Sequence, residues 1–146
     1  CGVQVEGYHS DVTRTVCPWP TDDTYYQVYA AVYESQEAAL AAIKAGVKAA
    51  DLDAVAREVL TERGYGAAFS HGLGHGVGLE IHEAPTLSAR SEDTLRAGMV
   101  VTIEPGVYIH GWGGVRIEDT VVVTREGCEV LTHAAKEEPR SLGTGL

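Results

Sequence analysis

Glu104 and Glu118 stand at the ends of apolar runs, in Met99-Val-Val-Thr-Ile-Glu104-Pro-Gly106 and Val115-Arg-Ile-Glu118-Asp-Thr-Val-Val-Val123. A carboxylate in such a setting needs a partner, because burying an unpaired charge is costly. Asp11, in Ser10-Asp-Val-Thr-Arg-Thr15, adds a third acid, and Ser70-His-Gly-Leu-Gly-His-Gly-Val-Gly-Leu-Glu-Ile-His82 adds His71, His75 and His82. Hard oxygen donors suit Mn, Mg or Ca, and an imidazole shifts the preference toward Mn, Fe, Co or Zn. Because carboxylates bridge, a few of them can hold two ions about 3.5 to 4 Å apart that activate a shared water and polarise a carbonyl.

Each residue also has a plainer reading. Asp11 alone reads more readily as a turn or capping aspartate. Glu104 can form a strand-end salt bridge, and Glu118 can pair with Arg116, two residues away on the same strand face. A lone histidine here would be structural or on the surface. Three within twelve residues, in a segment too glycine-rich for ordinary core, move the balance toward a site. His82-Glu83 begins like H-E-x-x-H, but Thr86 stands where the second histidine is required and Pro85 breaks the helix that motif needs.

The elements that must position these groups alternate between β and α. Gly2 to Cys17 reads as a hairpin turning at Glu6-Gly7, with Asp11 on its second arm and Pro18-Trp19-Pro20 ending it. Thr21 is the expected cap of a helix with Asp22 and Asp23 in its first turn, running through Val28 to Ala45 and stopping near Gly46. Asp51 starts a second helix with Leu52, Val55, Val59 and Leu60 on its apolar stripe and Gly64 as its stop signal. Gly72, Gly74, Gly76 and Gly78 make Tyr65 to Pro85 loop and strand. Strands are expected over Met99 to Ile103, Val107 to His110, Val115 to Thr124 and Glu129 to Leu131, with turns at Gly111-Trp-Gly-Gly114 and Glu126-Gly127. The class is α+β. Ser10-Asp-Val-Thr-Arg-Thr15 and Arg116-Ile-Glu-Asp-Thr120 are similar acidic motifs, a weak sign of an internal duplication.

With 146 residues, the chain is sized for one globular domain. It opens on Cys1 with Gly2-Val-Gln-Val5 already reading as strand, so we expect a piece of a longer protein. A formal charge of -10 argues against a nucleic-acid groove. No run approaches the roughly 18 apolar residues of a membrane span, and the amino terminus does not read as a signal peptide. Cys1, Cys17 and Cys128 are odd in number and lack C-x-x-C spacing, which predicts reduced thiols and a cytoplasmic protein rather than a disulfide framework or structural zinc.

Taken in order, Ser10-Asp-Val-Thr-Arg-Thr15, Gly74-His-Gly-Val-Gly-Leu-Glu-Ile-His-Glu83, Thr102-Ile-Glu-Pro-Gly106 and Arg116-Ile-Glu-Asp-Thr120 closely resemble the pita-bread metallopeptidases. Glu104-Pro-Gly-Val-Tyr108 and Gly114-Val-Arg-Ile-Glu118 resemble the Xaa-Pro peptidases, prolidase and aminopeptidase P, more than methionine aminopeptidase. The resemblance implies the carboxy-terminal part of one catalytic domain, residues 1–146, with helices on a curved, largely antiparallel sheet. It implies hydrolysis of the bond before proline through a hydroxide shared by two divalent metals, with Mn first and Co, Zn or Fe as alternatives.

Of the family's five ligands, four have counterparts: Asp11 and Glu118 as bridges, and His75 and Glu104 on one metal. The fifth, an aspartate in Asp-x-Gly, falls just before Cys1, with Gly2 as that motif's glycine. This chain alone is therefore expected to hold one ion or none and to lack full activity. By the same resemblance His71 and His82 line the substrate cleft, with His82 directed at the scissile carbonyl. Glu104 relays a proton to the leaving nitrogen, Arg116 supports Glu118 or binds substrate, and Tyr108 supplies a hydroxyl. Xaa-Pro peptides are the implied substrates, a homodimer complemented by the missing amino-terminal piece the implied assembly, with no nucleic-acid or membrane partner. An interaction module that has lost catalysis is the alternative. The retained acids and His75 argue against a metal-independent amidinohydrolase of the creatinase type.

Overall fold

The computed structural model describes residues 1–17, 22–136 and 140–141. Its strands are β1 (Gln4–Val5), β2 (Tyr8–His9), β3 (Val16–Cys17), β4 (Gly74–Gly76), β5 (Glu83–Leu87), β6 (Val100–Ile103), β7 (Gly106–Ile109), β8 (Gly113–Arg116), β9 (Asp119–Val123), β10 (Cys128–Val130) and β11 (Arg140–Ser141). The helices are α1 (Asp23–Ala42) and α2 (Ala49–Glu62). An antiparallel sheet in the order β10-β9-β6-β4-β5 carries the core; β1 pairs with β2, β7 with β8, and β11 runs parallel to β3. This is the expected α+β arrangement, and among the described residues no helix is long and apolar enough to cross a membrane.

Helix α1 spans two apolar clusters. Its amino-terminal half, through Val28, Tyr29 and Val32, packs with Val107, Val115 and Ile117 around the β7–β8 hairpin. Its carboxy-terminal end, through Ala39 and Ile43, joins Leu52 and Ala56 of α2 against Val101, Ile103, Val121 and Val123 of the main sheet. One helix thus bears on both strand pairs that lead to Glu104 and Glu118.

The helix boundaries differ from the sequence reading. Asp22 is the cap of α1, its side chain accepting from the Tyr25 N–H, while Thr21 and Pro18-Trp19-Pro20 lie outside the described residues. Helix α1 ends at Ala42, before Gly46, because Ile43 turns extended into the core and the next N–H groups are taken by tertiary partners. The Ala45 N–H donates to Thr124 and the Gly46 N–H to Leu95. Helix α2 begins two residues early, at Ala49, and its buried stripe is Ala49, Leu52, Asp53, Ala56 and Leu60. Val55 and Val59 are only half-buried, displaced by Asp53, whose charge is matched by Arg57 at 3.0 Å. Gly64, at φ +83°, follows the helix as expected.

The hairpin turning at Glu6-Gly7 is present, but Asp11 lies beyond β2. The expected strand Val115 to Thr124 is two strands, interrupted at Ile117-Glu118. Thr86 and Pro85 sit on β5, so no zincin helix forms. The three cysteines are free thiols.

Gly74 shows why the glycine-rich segment has its composition. A Cβ there would strike the Thr102 carbonyl of β6, so only glycine lets the strand bearing His75 approach the strand leading to Glu104. We expect Gly74→Ala to destabilise the chain by about 1–3 kcal/mol, read as a lower urea midpoint. A midpoint equal to that of the native chain would show that the close approach is not required.

Candidate metal centre

Three backbone segments converge on His75. Glu104 leaves the end of β6, its N–H held by the Leu73 carbonyl at 2.8 Å, just ahead of His75 on β4. Glu118 occupies the gap between β8 and β9, where its N–H donates to the Thr13 carbonyl at 3.1 Å and Thr13 bridges to it antiparallel. Asp11 lies two residues before Thr13. The Thr15 hydroxyl donates to the Arg116 carbonyl at 2.9 Å and accepts the Arg116 N–H at 3.0 Å, so the two similar acidic motifs run antiparallel to each other.

His75 Nε2 lies 3.1 Å from Glu104 Oε1 and 3.9 Å from Asp11 Oδ2. Asp11, His75 and Glu118 each present a donor atom, all within 4.8 Å of one another. The Nδ1 of His75 is 2.9 Å from the Gly76 carbonyl. Only a protonated Nδ1 can donate there, which aims Nε2 at the acids in the manner of metal-ligating histidines. The Thr13 hydroxyl donates to Glu118 Oε2 at 2.5 Å and the Thr102 hydroxyl to Glu104 Oε1 at 3.0 Å. Glu118 is 2 % exposed, and its Oε1 is buried with no hydrogen-bond partner among the described residues. An orphaned buried carboxylate oxygen, two further acids and an imidazole form a donor set that fits a divalent cation.

The electrostatics separate the two glutamates. Burial, followed by repulsion from Glu104 and Asp11, outweighs the Thr13 hydrogen bond and pushes the Glu118 carboxyl up to about 7. Burial also works to raise Glu104, but hydrogen bonds from His75 and Thr102 and the nearby His75 and His71 carry it below its ordinary value. His75 is raised: burial opposes its charge, but Glu104, the Gly76 carbonyl and Asp11 prevail.

An open cleft of about 560 Å³ lies beside this cluster, lined by His71, His75, His82, Glu104 and Arg116. The His75 and His82 rings are 4.1 Å apart. His71 Nδ1 donates to the Gly72 carbonyl at 2.8 Å, leaving Nε2 to accept the Tyr108 hydroxyl at 2.8 Å, while Arg116 Nη1 donates to that same oxygen at 3.1 Å. Among the described residues Arg116 forms no ion pair with Glu118. It faces Glu104 Oε2 at 3.9 Å and donates to Thr13 Oγ1 at 3.2 Å, because Glu118 turns inward to the same threonine.

Sequence reasoning missed the residues that brace these side chains. Thr13 and Thr102 stand two positions from Asp11 and Glu104, so strand alternation could have placed them on the same faces. The grip on His71 left no such signal: Arg57, paired with the fully buried Asp53, donates to the Phe69 and His71 carbonyls at 2.8 and 2.9 Å.

The sequence model of metallopeptidase family M24 matches residues 1–125. The Xaa-Pro dipeptidase of Pyrococcus furiosus is 48% identical over 136 residues, which cover 93% of this chain and 39% of that protein. Among solved structures, an X-Pro aminopeptidase from Thermotoga maritima matches with a TM-score of 0.92 at 44% identity, covering 97% of this chain and 40% of that one. A Xaa-Pro dipeptidase from Bacillus anthracis matches at 0.90 and 50% identity, covering 93% and 38%. This chain thus spans about 39% of the length of the curated relatives it matches. With the family's motifs on the strand ends that meet at His75, and with the pita-bread fold of these neighbours, the chain belongs to metallopeptidase family M24.

Proposed function

We propose that the longer protein, of which this chain forms the carboxy-terminal part of the catalytic domain, hydrolyses the peptide bond preceding proline. The observation that carries this reading is the convergence of Asp11, His75 and Glu118, with Glu104 on His75, at the edge of an open cleft. Relatives named Xaa-Pro dipeptidase and X-Pro aminopeptidase support the substrate class. Asp11, His75, Glu104 and Glu118 would hold two divalent cations, and the mixture of oxygen and imidazole donors favours Mn. Bound there, the cations supply an activated water and Lewis-acid polarisation of the carbonyl.

Glu104 Oε1 is engaged by His75 and Thr102, so Oε2, the oxygen facing Arg116, is the one open to accept a proton in the cleft. The depressed carboxyl keeps it ionised and ready. The departing prolyl nitrogen is a secondary amine that needs this proton returned. His82, against His75 on the cleft wall, would hydrogen-bond the scissile carbonyl. The Tyr108 hydroxyl, held between His71 and Arg116, would be a further hydrogen-bonding group for the substrate.

In the full-length protein supplied with Mn, Xaa-Pro dipeptides or longer Xaa-Pro peptides are expected to be cleaved, followed by release of free Pro or of the amino-terminal residue. No cleavage of either would sink the peptidase reading. Glu104→Ala should lower kcat by about 10²- to 10⁴-fold or more; near-native turnover would remove Glu104 from the proton path.

Metal affinity should also depend on pH. A folded carboxyl raised above its ordinary value favours the metal-free fold at low pH, a contribution lost as pH rises through about 7. A cation has the opposite preference, because its ligand must lose that proton. Mn affinity, measured calorimetrically, should therefore climb as pH rises toward about 7 and level off above it. A flat profile across that window would exclude Glu118 as a ligand.

A further inference from the structure

Gln36 lies in the middle of α1, between the two apolar clusters that this helix joins, and is fully buried. A glutamine amide in such a place must satisfy its donors and its acceptor internally. Its Nε2 donates to two carbonyls, Ile103 at 3.1 Å and Ile117 at 3.4 Å. Its Oε1 accepts from Lys136 Nζ at 2.7 Å, which fixes which end of the amide points where. Ile103 immediately precedes Glu104, and Ile117 immediately precedes Glu118. A single amide on a helix behind the sheet therefore ties together the two backbone points from which both glutamates of the metal cluster project.

We propose that Gln36 is a positioning residue for the metal centre, setting the spacing of Glu104 and Glu118 from behind. This rests on the reading of those residues as ligands. The need for such a tie follows from local geometry. After Ile103, Glu104 leaves the β6–β9 ladder and its N–H turns to Leu73; at Ile117 the chain is between β8 and β9, and the N–H of Glu118 turns to Thr13. Each glutamate is bonded to a different neighbouring segment, and the glutamates repel each other. The β6–β9 ladder ends at the Ile103–Asp119 pair, and just beyond it the two NH₂ hydrogens of one planar amide, at a fixed separation, hold the Ile103 and Ile117 carbonyls together. Lys136 holds the amide in the orientation that offers both hydrogens to the sheet, and it does so while pairing with Asp119, the residue after Glu118, at 2.7 Å.

The neighbouring Ser35 supplies an internal control. It is equally buried on the same helix, but its hydroxyl donates to the Ala56 carbonyl of α2 at 2.8 Å and not to the sheet. Gln36→Met keeps the volume and removes the amide; Gln36→Asn keeps the amide but withdraws it by one methylene. The full-length protein and its variants would be stripped of metal and titrated with Mn alone by calorimetry, well below their unfolding temperatures. Gln36→Met and Gln36→Asn should bind Mn roughly 10- to 100-fold more weakly, whereas Ser35→Ala should lose thermal stability with Mn affinity unchanged. Should Gln36→Met not fold, Gln36→Asn decides. Native-like affinity in a folded Gln36 variant, or an equal loss in Ser35→Ala, overturns the positioning role and leaves the metal centre intact. If the native protein binds no Mn, the reading of the centre itself falls, and this inference with it.

Discussion

The constraint on which the rest of the structure depends is the gathering of three carboxylates, Asp11, Glu104 and Glu118, around a single imidazole. Like charges at such range raise one another's free energy, and burial magnifies the effect because water no longer screens them. His75 offsets part of it by bonding Glu104, which leaves Glu118 carrying the remainder: its carboxyl is pushed up to about 7 and one oxygen has no partner among the described residues. An unsatisfied buried acceptor costs about 1–3 kcal/mol. A fold that tolerates this arrangement must hold the acids by something other than their mutual attraction, since there is none.

What holds them is a layer of neutral donors in front and of cations behind. The hydroxyls of Thr13 and Thr102 touch the carboxylates directly, and neither adds a charge that would compete with a bound cation. Arg116 faces Glu104 Oε2 at 3.9 Å, whereas Arg14 and Lys136 act on the backbone or on the next residue. Arg14 donates to the Thr13 and Glu118 carbonyls at 2.8 and 2.6 Å and pairs at 2.6 Å with Asp119, which Lys136 reaches from its other oxygen. Asp119 is fully buried and twice paired, while Glu118, one residue earlier and facing the other way, has no ion pair among the described residues. Strand alternation places a satisfied acid and an unsatisfied one side by side in the sequence but on opposite faces. The first anchors the segment so that the second can be kept poised.

This division explains how much of the site was legible in the sequence. Glu104 and Glu118 stood out because strand ends with apolar approaches are poor places for a lone charge, and the alternating Gly72, Gly74, Gly76 and Gly78 marked loop and strand, though not the contact with β6 that Gly74 makes. The α+β class and the hairpins at Glu6-Gly7 and Gly111 to Gly114 followed from turn chemistry. The bracing was not legible. Asp53 and Gln36 sit in helices whose pattern read as ordinary amphipathic scaffold, and their importance comes from which carbonyls lie opposite them, a fact of tertiary packing. The misplaced end of α1 has the same origin: Ala45 and Gly46 are compatible with helix, but Thr124 and Leu95 offer their N–H groups acceptors at the sheet edge, and Ile43 gains more by entering the core than by continuing the helix.

The opposite shifts of the two glutamates then follow from a difference in backbone, not in chemistry. Both are glutamates at strand ends, and burial opposes ionisation in each. Glu104 follows a strand whose neighbour carries His75, so its carboxylate meets an imidazole and a hydroxyl together. Glu118 follows a strand whose neighbouring segment carries Thr13 and Asp11, so it meets one hydroxyl and another acid. Register therefore leaves one carboxylate readily ionised and makes the other reluctant to ionise. Exchanging the two roles would require exchanging the strands beside them, which is why a site of this kind is specified by the order of its sheet as much as by its ligands.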